Sequence, residues 1–147
     1  MEFRKFSEGF GVEVLGANLF SLSTADFVRL QKNFYQHQVL VARAQNLTAT
    51  QFLQFARRIG PPEPHVIDQF HHPEHADILI LSNVEKDGRP TGLADAGTYF
   101  HTDYSYLEVP ARATMLYSIQ VPKKGGDTLF VNHFMRPGRQ AHTCGAM

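Results

Sequence analysis

Two spacings in this sequence could serve metal chemistry. His101-Thr102-Asp103 sits in the run TYFHTDYSY, and His75-Ala76-Asp77 sits in FHHPEHAD. On an extended strand, residues i and i+2 point to the same side, so an imidazole nitrogen and a carboxylate oxygen can converge on one ion. Two histidines and one carboxylate on one face of an octahedron are the usual Fe(II) donor set of non-haem oxygenases. The remaining positions stay open to a co-substrate and O2. The spacing alone decides nothing, because the chain holds it twice, and context must separate the copies. His75 lies in a polar connector with Pro73, which opposes a helical i, i+4 pairing with His71. A surface or satisfied polar pair is enough to explain it. His101 instead enters a segment flanked by Tyr99, Phe100, Tyr104 and Tyr106, which reads as a buried strand.

The elements that must position these residues follow from periodicity. SLSTADFVRLQKNFYQHQ reads as a helix, with Ser23 and Asp26 in a capping-box spacing and an apolar stripe of Phe27, Leu30 and Phe34. LTATQFLQFARRIGPP is a clearer one. Thr48 caps it, Gln51 closes the box, and Phe52, Phe55, Ala56 and Ile59 share a face. Gly60 ends it, and Pro61-Pro62 forbid continuation. FGVEVLGANL, QVLVAR, ADILILSNV, RATMLYSIQVP and DTLFVN read as strands, EKDGRPTGLADAG as a loop and KKGG as a turn. Helix and strand thus mix early and strand dominates late, which predicts an α+β domain with helices packed on an antiparallel sheet or barrel. The tail HFMRPGRQAHTCGAM has neither period. Residues 1–132 therefore read as the folded portion and 133–147 as an atypical, unpacked end.

Composition excludes several function classes. The chain has 147 residues, with 14 Lys+Arg against 14 Asp+Glu, so no charge imbalance points to nucleic acid or an anionic membrane. The pairs Arg57-Arg58 and Lys123-Lys124 are too short for a phosphate-binding patch. A lone cysteine, Cys144, cannot form an internal disulfide, which suits a cytoplasmic protein. No apolar run approaches a membrane span, and the N-terminus is too charged for a signal peptide.

Taken together, VLVARAQNLT, FARRIGPPEPH and FHTDYSYLEVPARATMLYSIQVPKKGGDTLFVN resemble the taurine catabolism dioxygenase family of Fe(II)/2-oxoglutarate enzymes. The resemblance covers about residues 8–132. It implies a partial double-stranded β-helix (jelly-roll) core with flanking N-terminal helices, and hydroxylation of a small organic acid, a sulfonate or an aryloxy or alkyl acid. The partner implied is this small-molecule substrate, with assembly into homo-oligomers left open. His101 and Asp103 match the family's first two iron ligands, and Thr128 matches the threonine that helps hold 2-oxoglutarate. Gly125 and Gly126 match the turn before it. His65 lies near a substrate-contacting histidine of some members. Gly97 stands where taurine dioxygenase has an asparagine, which speaks against taurine. The family also needs a distal histidine and an arginine that clamps 2-oxoglutarate, and the chain stops before their motif. His133, His142, Arg136 and Arg139 occupy a different setting. The competing expectation is therefore a catalytically inactive fragment or metal-poor remnant. A zinc hydrolase has only the histidine count behind it.

Overall fold

Strand β2 (Phe10–Leu15) is the organising element of the first half of the chain. Its sequence alternates, yet Phe10 through Val14 are all buried, including Glu13. Burial on both faces is the mark of a central strand. On one side β1 (Glu2–Ser7) pairs with it antiparallel, from Glu2 opposite Leu15 to Ser7 opposite Phe10. On the other, β3 (Leu40–Ala42) pairs parallel, with Val12 opposite Leu40. A parallel pair needs a crossover, and α1 (Thr24–His37) supplies it. The computed structural model describes residues 1–7, 10–132 and 142–144.

Both predicted helices form, with the predicted caps. Ser23 Oγ accepts from the Asp26 N–H at 3.1 Å and starts α1. Thr48 and Gln51 make the full capping box of α2 (Ala49–Ile59), with Thr48 Oγ1 accepting from Gln51 N and Gln51 Oε1 from Thr48 N. Leu30 is buried on α1, and Leu53 and Phe55 are buried on α2. Because that box satisfies two otherwise orphaned N–H groups, Thr48→Ala will cost about 1 kcal/mol. A lower urea midpoint at unchanged slope is the expected readout. An unchanged midpoint would show that the box contributes nothing.

Two compact units result, one of residues 1–46 with 116–147 and one of residues 47–115. The first holds the three-stranded sheet and α1. It also holds β8 (Thr128–Phe130), paired antiparallel with β9 (His142–Cys144). The second holds α2 and a hairpin of β4 (His71–His72) and β5 (His75–Leu79). A shorter hairpin of β6 (Glu85–Lys86) and β7 (Arg89–Pro90) completes it.

The helices and small sheets give the α+β class predicted. The strand-rich second half does not appear as expected. TYFHTDYSY is irregular chain running into a turn, and RATMLYSIQVP has no regular structure. A strand exists only where its backbone groups find a ladder partner. Tyr99 is 77% exposed and Ile119 91%, and among the described residues no strand pairs with either segment. The polar connector around His71–His75 errs in the other direction, being a hairpin with a two-residue turn. β1 was also missed, its charged residues masking an alternation that a central strand could pair with.

Candidate metal centre

His101 and Asp103 do come together, although a turn and not a strand brings them. Residues 103–106 reverse the chain, and the Leu107 N–H closes the turn on the Tyr104 carbonyl at 3.1 Å. His101 Nδ1 lies 2.8 Å from the Tyr99 carbonyl oxygen. A carbonyl only accepts, so Nδ1 carries the proton and Nε2 is the nitrogen left for other work. Nε2 faces Asp103 Oδ1 at 3.1 Å. The second carboxylate oxygen, Oδ2, accepts from Thr114 Oγ1 at 2.7 Å. Tyr99 stands edge-on to the imidazole at 5.7 Å. Beneath the ring lies Gly97, at φ 75°, where a Cβ would come within 3.1 Å of His101 Cε1. A side chain at that position would be strained by the backbone conformation and would press on the ring.

The electrostatics suit a cation. Hydrogen bonding to the Tyr99 carbonyl raises the His101 pKa above its ordinary value, and the Asp103 carboxylate adds to the rise against an opposing effect of desolvation. In the charged form, the Nε2 proton sits between the two donor atoms. A divalent ion that displaces it would meet one imidazole nitrogen and one carboxylate oxygen, a donor pair that fits two of the three protein positions of a non-haem Fe(II) site. Among the described residues no group of three or more His, Cys, Asp or Glu side chains is placed to hold a metal. His133, Arg136 and Arg139 lie outside the described residues, as does the His142 side chain.

The second His-x-Asp copy has different employment. His75 Nε2 meets Thr50 Oγ1 at 3.0 Å, and Asp77 pairs with Arg57 at 3.4 Å. Both residues tie the hairpin to α2, which is the satisfied polar pair that its context suggested.

Of the other candidates, Thr128 opens β8 in the first unit, half-buried, after Gly125 and Gly126 at φ 76° and 77°. Both angles are left-handed, which glycine alone adopts without strain, and a bend at residues 123–124 precedes them. His65 belongs to the second unit with His101. Its Nδ1 accepts from the Ile67 N–H at 3.1 Å, so in the neutral ring Nε2 is a donor available to an anionic oxygen. Its ring stands edge-on to Tyr104 at 6.1 Å. Tyr104 directly follows Asp103 and holds a left-handed backbone, φ 54°. Such a conformation is costly for a bulky residue and persists only where the surroundings enforce it. Burial raises the Tyr104 pKa, with Tyr106, Glu63 and Asp103 adding to it. Sequence reasoning overlooked Tyr104 and Thr114, since neither carries a spacing signal.

The profile of the taurine catabolism dioxygenase TauD, TfdA family matches residues 2–135. The chain belongs to that family. Within the TauD, TfdA group it is similar to pentalenolactone F synthase of Streptomyces arenae, 38% identical over 65% of this chain and 33% of that one. It is also similar to the alpha-ketoglutarate-dependent 2,4-dichlorophenoxyacetate dioxygenase of Cupriavidus pinatubonensis, 32% identical over 75% of this chain and 42% of the relative. The (S)-phenoxypropionate/alpha-ketoglutarate-dioxygenase of Sphingobium herbicidovorans is 30% identical over 84% of this chain and 42% of its own length. The chain thus spans between 33% and 42% of the length of these curated relatives. No helix among the described residues is long and apolar enough to cross a membrane.

Proposed function

We propose that this chain is the N-terminal portion of an Fe(II)- and 2-oxoglutarate-dependent dioxygenase acting on a small organic acid of the aryloxy- or alkyl-acid class. The observation that carries the reading is the convergence of His101 Nε2 and Asp103 Oδ1 at 3.1 Å, in a chain of this family. In the complete site, His101 and Asp103 hold the iron, Thr128 donates its hydroxyl to 2-oxoglutarate, and His65 donates through Nε2 to the substrate carboxylate. Bound iron, with 2-oxoglutarate and O2, supplies the oxidising power that places a hydroxyl on the substrate while 2-oxoglutarate becomes succinate and CO2. The chain's own task is to hold donors and acids in register. A carboxylate leaving water needs such donors, because an unpaired ionised one costs far more to bury than a neutral polar group does. In this reading residues 1–132 contribute one part of a jelly-roll core. The names of two relatives favour an aryloxy acid.

A specific observation supports a second reading of the polypeptide by itself. Two metal donors converge among the described residues, and the alternative is that the polypeptide by itself is a catalytically inactive, metal-poor remnant. The test has two arms. Residues 1–132 replace the matching region of the Cupriavidus dioxygenase, and succinate is measured with Fe(II), 2-oxoglutarate and ascorbate across a panel of aryloxy and alkyl acids. Acid-dependent succinate that vanishes with Asp103→Ala is expected. A folded, iron-binding chimera that forms none would refute the dioxygenase reading. The unaltered chain should form none above background, and turnover by it would refute the remnant reading.

A further inference from the structure

We propose that Thr114 is a positioning residue for the metal pair, one that makes Asp103 a single-oxygen ligand. The inference rests on the dioxygenase reading above and deepens it. Asp103 sits on an exposed turn, its side chain 41% accessible, where a carboxylate would otherwise sample several rotamers. Thr114 Oγ1 donates to its Oδ2 at 2.7 Å, eleven residues away in sequence, from a stretch with no regular secondary structure. A hydroxyl proton aimed at an ionised carboxylate forms one of the stronger hydrogen bonds open to a neutral donor. Its direction is what matters here. With Oδ2 engaged by Thr114, Oδ1 alone is presented to His101 Nε2 at 3.1 Å.

The consequence for a metal is specific. A carboxylate free on both oxygens can clasp a cation through both and occupy two coordination positions. A carboxylate tied at Oδ2 occupies one. An iron that must also take a chelating co-substrate and O2 has no position to spare, so the hydroxyl of Thr114 keeps a place open. His101 receives the matching treatment, since the Tyr99 carbonyl at 2.8 Å fixes the Nδ1–H tautomer and leaves Nε2 as the ligand. One ligand is set by a backbone carbonyl and the other by a side chain that its own neighbourhood in the sequence does not reveal.

Mn(II) alone is the probe, with binding measured calorimetrically on the full chain as wild type, Thr114→Val, Thr114→Ser and His101→Ala. Valine keeps the shape and removes the donor. It should raise the dissociation constant about tenfold, the scale of an outer-shell loss at a metal site. Serine restores the hydroxyl and should stay within about threefold of wild type on the same reasoning. The circular dichroism and urea midpoint of both variants should match wild type, which separates positioning from folding. Wild-type affinity in Thr114→Val, or Thr114→Ser as weak as Thr114→Val, overturns the inference while the centre itself stands, provided His101→Ala loses binding. Failure of His101→Ala to weaken Mn(II), or absence of binding in the wild type, removes the centre and this inference with it.

Discussion

Replacing both arginines that face Glu13, as Arg4→Met with Arg43→Met, will destabilise the fold by about 3 kcal/mol at pH 7, the lower end for a buried charge stripped of its partners. Glu13→Gln will cost only about 1 kcal/mol, the scale of hydrogen bonds exchanged for a neutral amide. The asymmetry comes from where each charge sits. The Glu13 side chain is 2% accessible on the central strand, while Arg4 and Arg43 are 67% and 43% accessible. Arg4 reaches Glu13 from the neighbouring strand, directly opposite in register, and Arg43 Nε donates to Oε1 at 2.8 Å from just beyond β3. Remove the carboxylate, and both arginine side chains keep the access to water that they already have. Remove the arginines, and a carboxylate stays buried without counter-charge.

The same arrangement fixes the pH dependence. Arg4 above all, and then Arg43, hold the Glu13 carboxyl below its ordinary value against the opposing effect of burial. A folded pKa lowered in this way gives stability that is present above the unfolded value of 4.5 and is lost as pH falls through the lowered one. In the double arginine variant the carboxylate escapes by taking up a proton. Its deficit against wild type should therefore shrink at acid pH. Urea unfolding at pH 7 and pH 4.5 measures both effects. Equal losses for Glu13→Gln and the double variant would show that Glu13 is not the buried member.

The helices were legible because their signals are local. Thr48 and Gln51 lie three residues apart, and the hydrogen bonds they make are with each other. The segment of residues 112–121 was not legible, because a strand is completed by whatever lies beside it. It reads as a strand, yet with no adjacent ladder among the described residues it runs irregular, leaving Ile119 exposed. The metal pair falls between these cases. The two side chains do converge, but not on the strand that the i, i+2 argument assumed, since a turn brings them together. What holds the pair could not be read at all. Thr114 is joined to Asp103 only by tertiary contact, and the value of Gly97 lies in the ring of His101 above it. Glu13 shows the same limit from the other side, for FGVEVL reads as a strand but does not reveal that partners on both flanks bury its glutamate.

Divalent-metal binding will disappear in His101→Ala, and in the unaltered chain it will weaken as pH falls, about tenfold per unit once below the raised His101 pKa. The proton that bridges Nε2 and Oδ1 occupies the place a metal must take, so each ion bound displaces one proton. The raised pKa, caused first by the Tyr99 carbonyl and then by Asp103, moves that competition to higher pH than an ordinary histidine would show. Metal and fold respond to this proton in opposite senses. A histidine whose folded pKa is raised gives stability that is fully present below its ordinary pKa of 6.5 and is lost as pH rises through the raised value. Acid thus favours the metal-free pair, and base favours the metal. Asp103→Asn should flatten the pH profile while weakening binding, because it removes an oxygen ligand and part of the cause of the raised pKa together. Mn(II) titrations from about pH 5.5 to 8.5 span the ordinary histidine range. Binding that ignores pH across that window, or that survives His101→Ala, would place the metal somewhere other than on this pair.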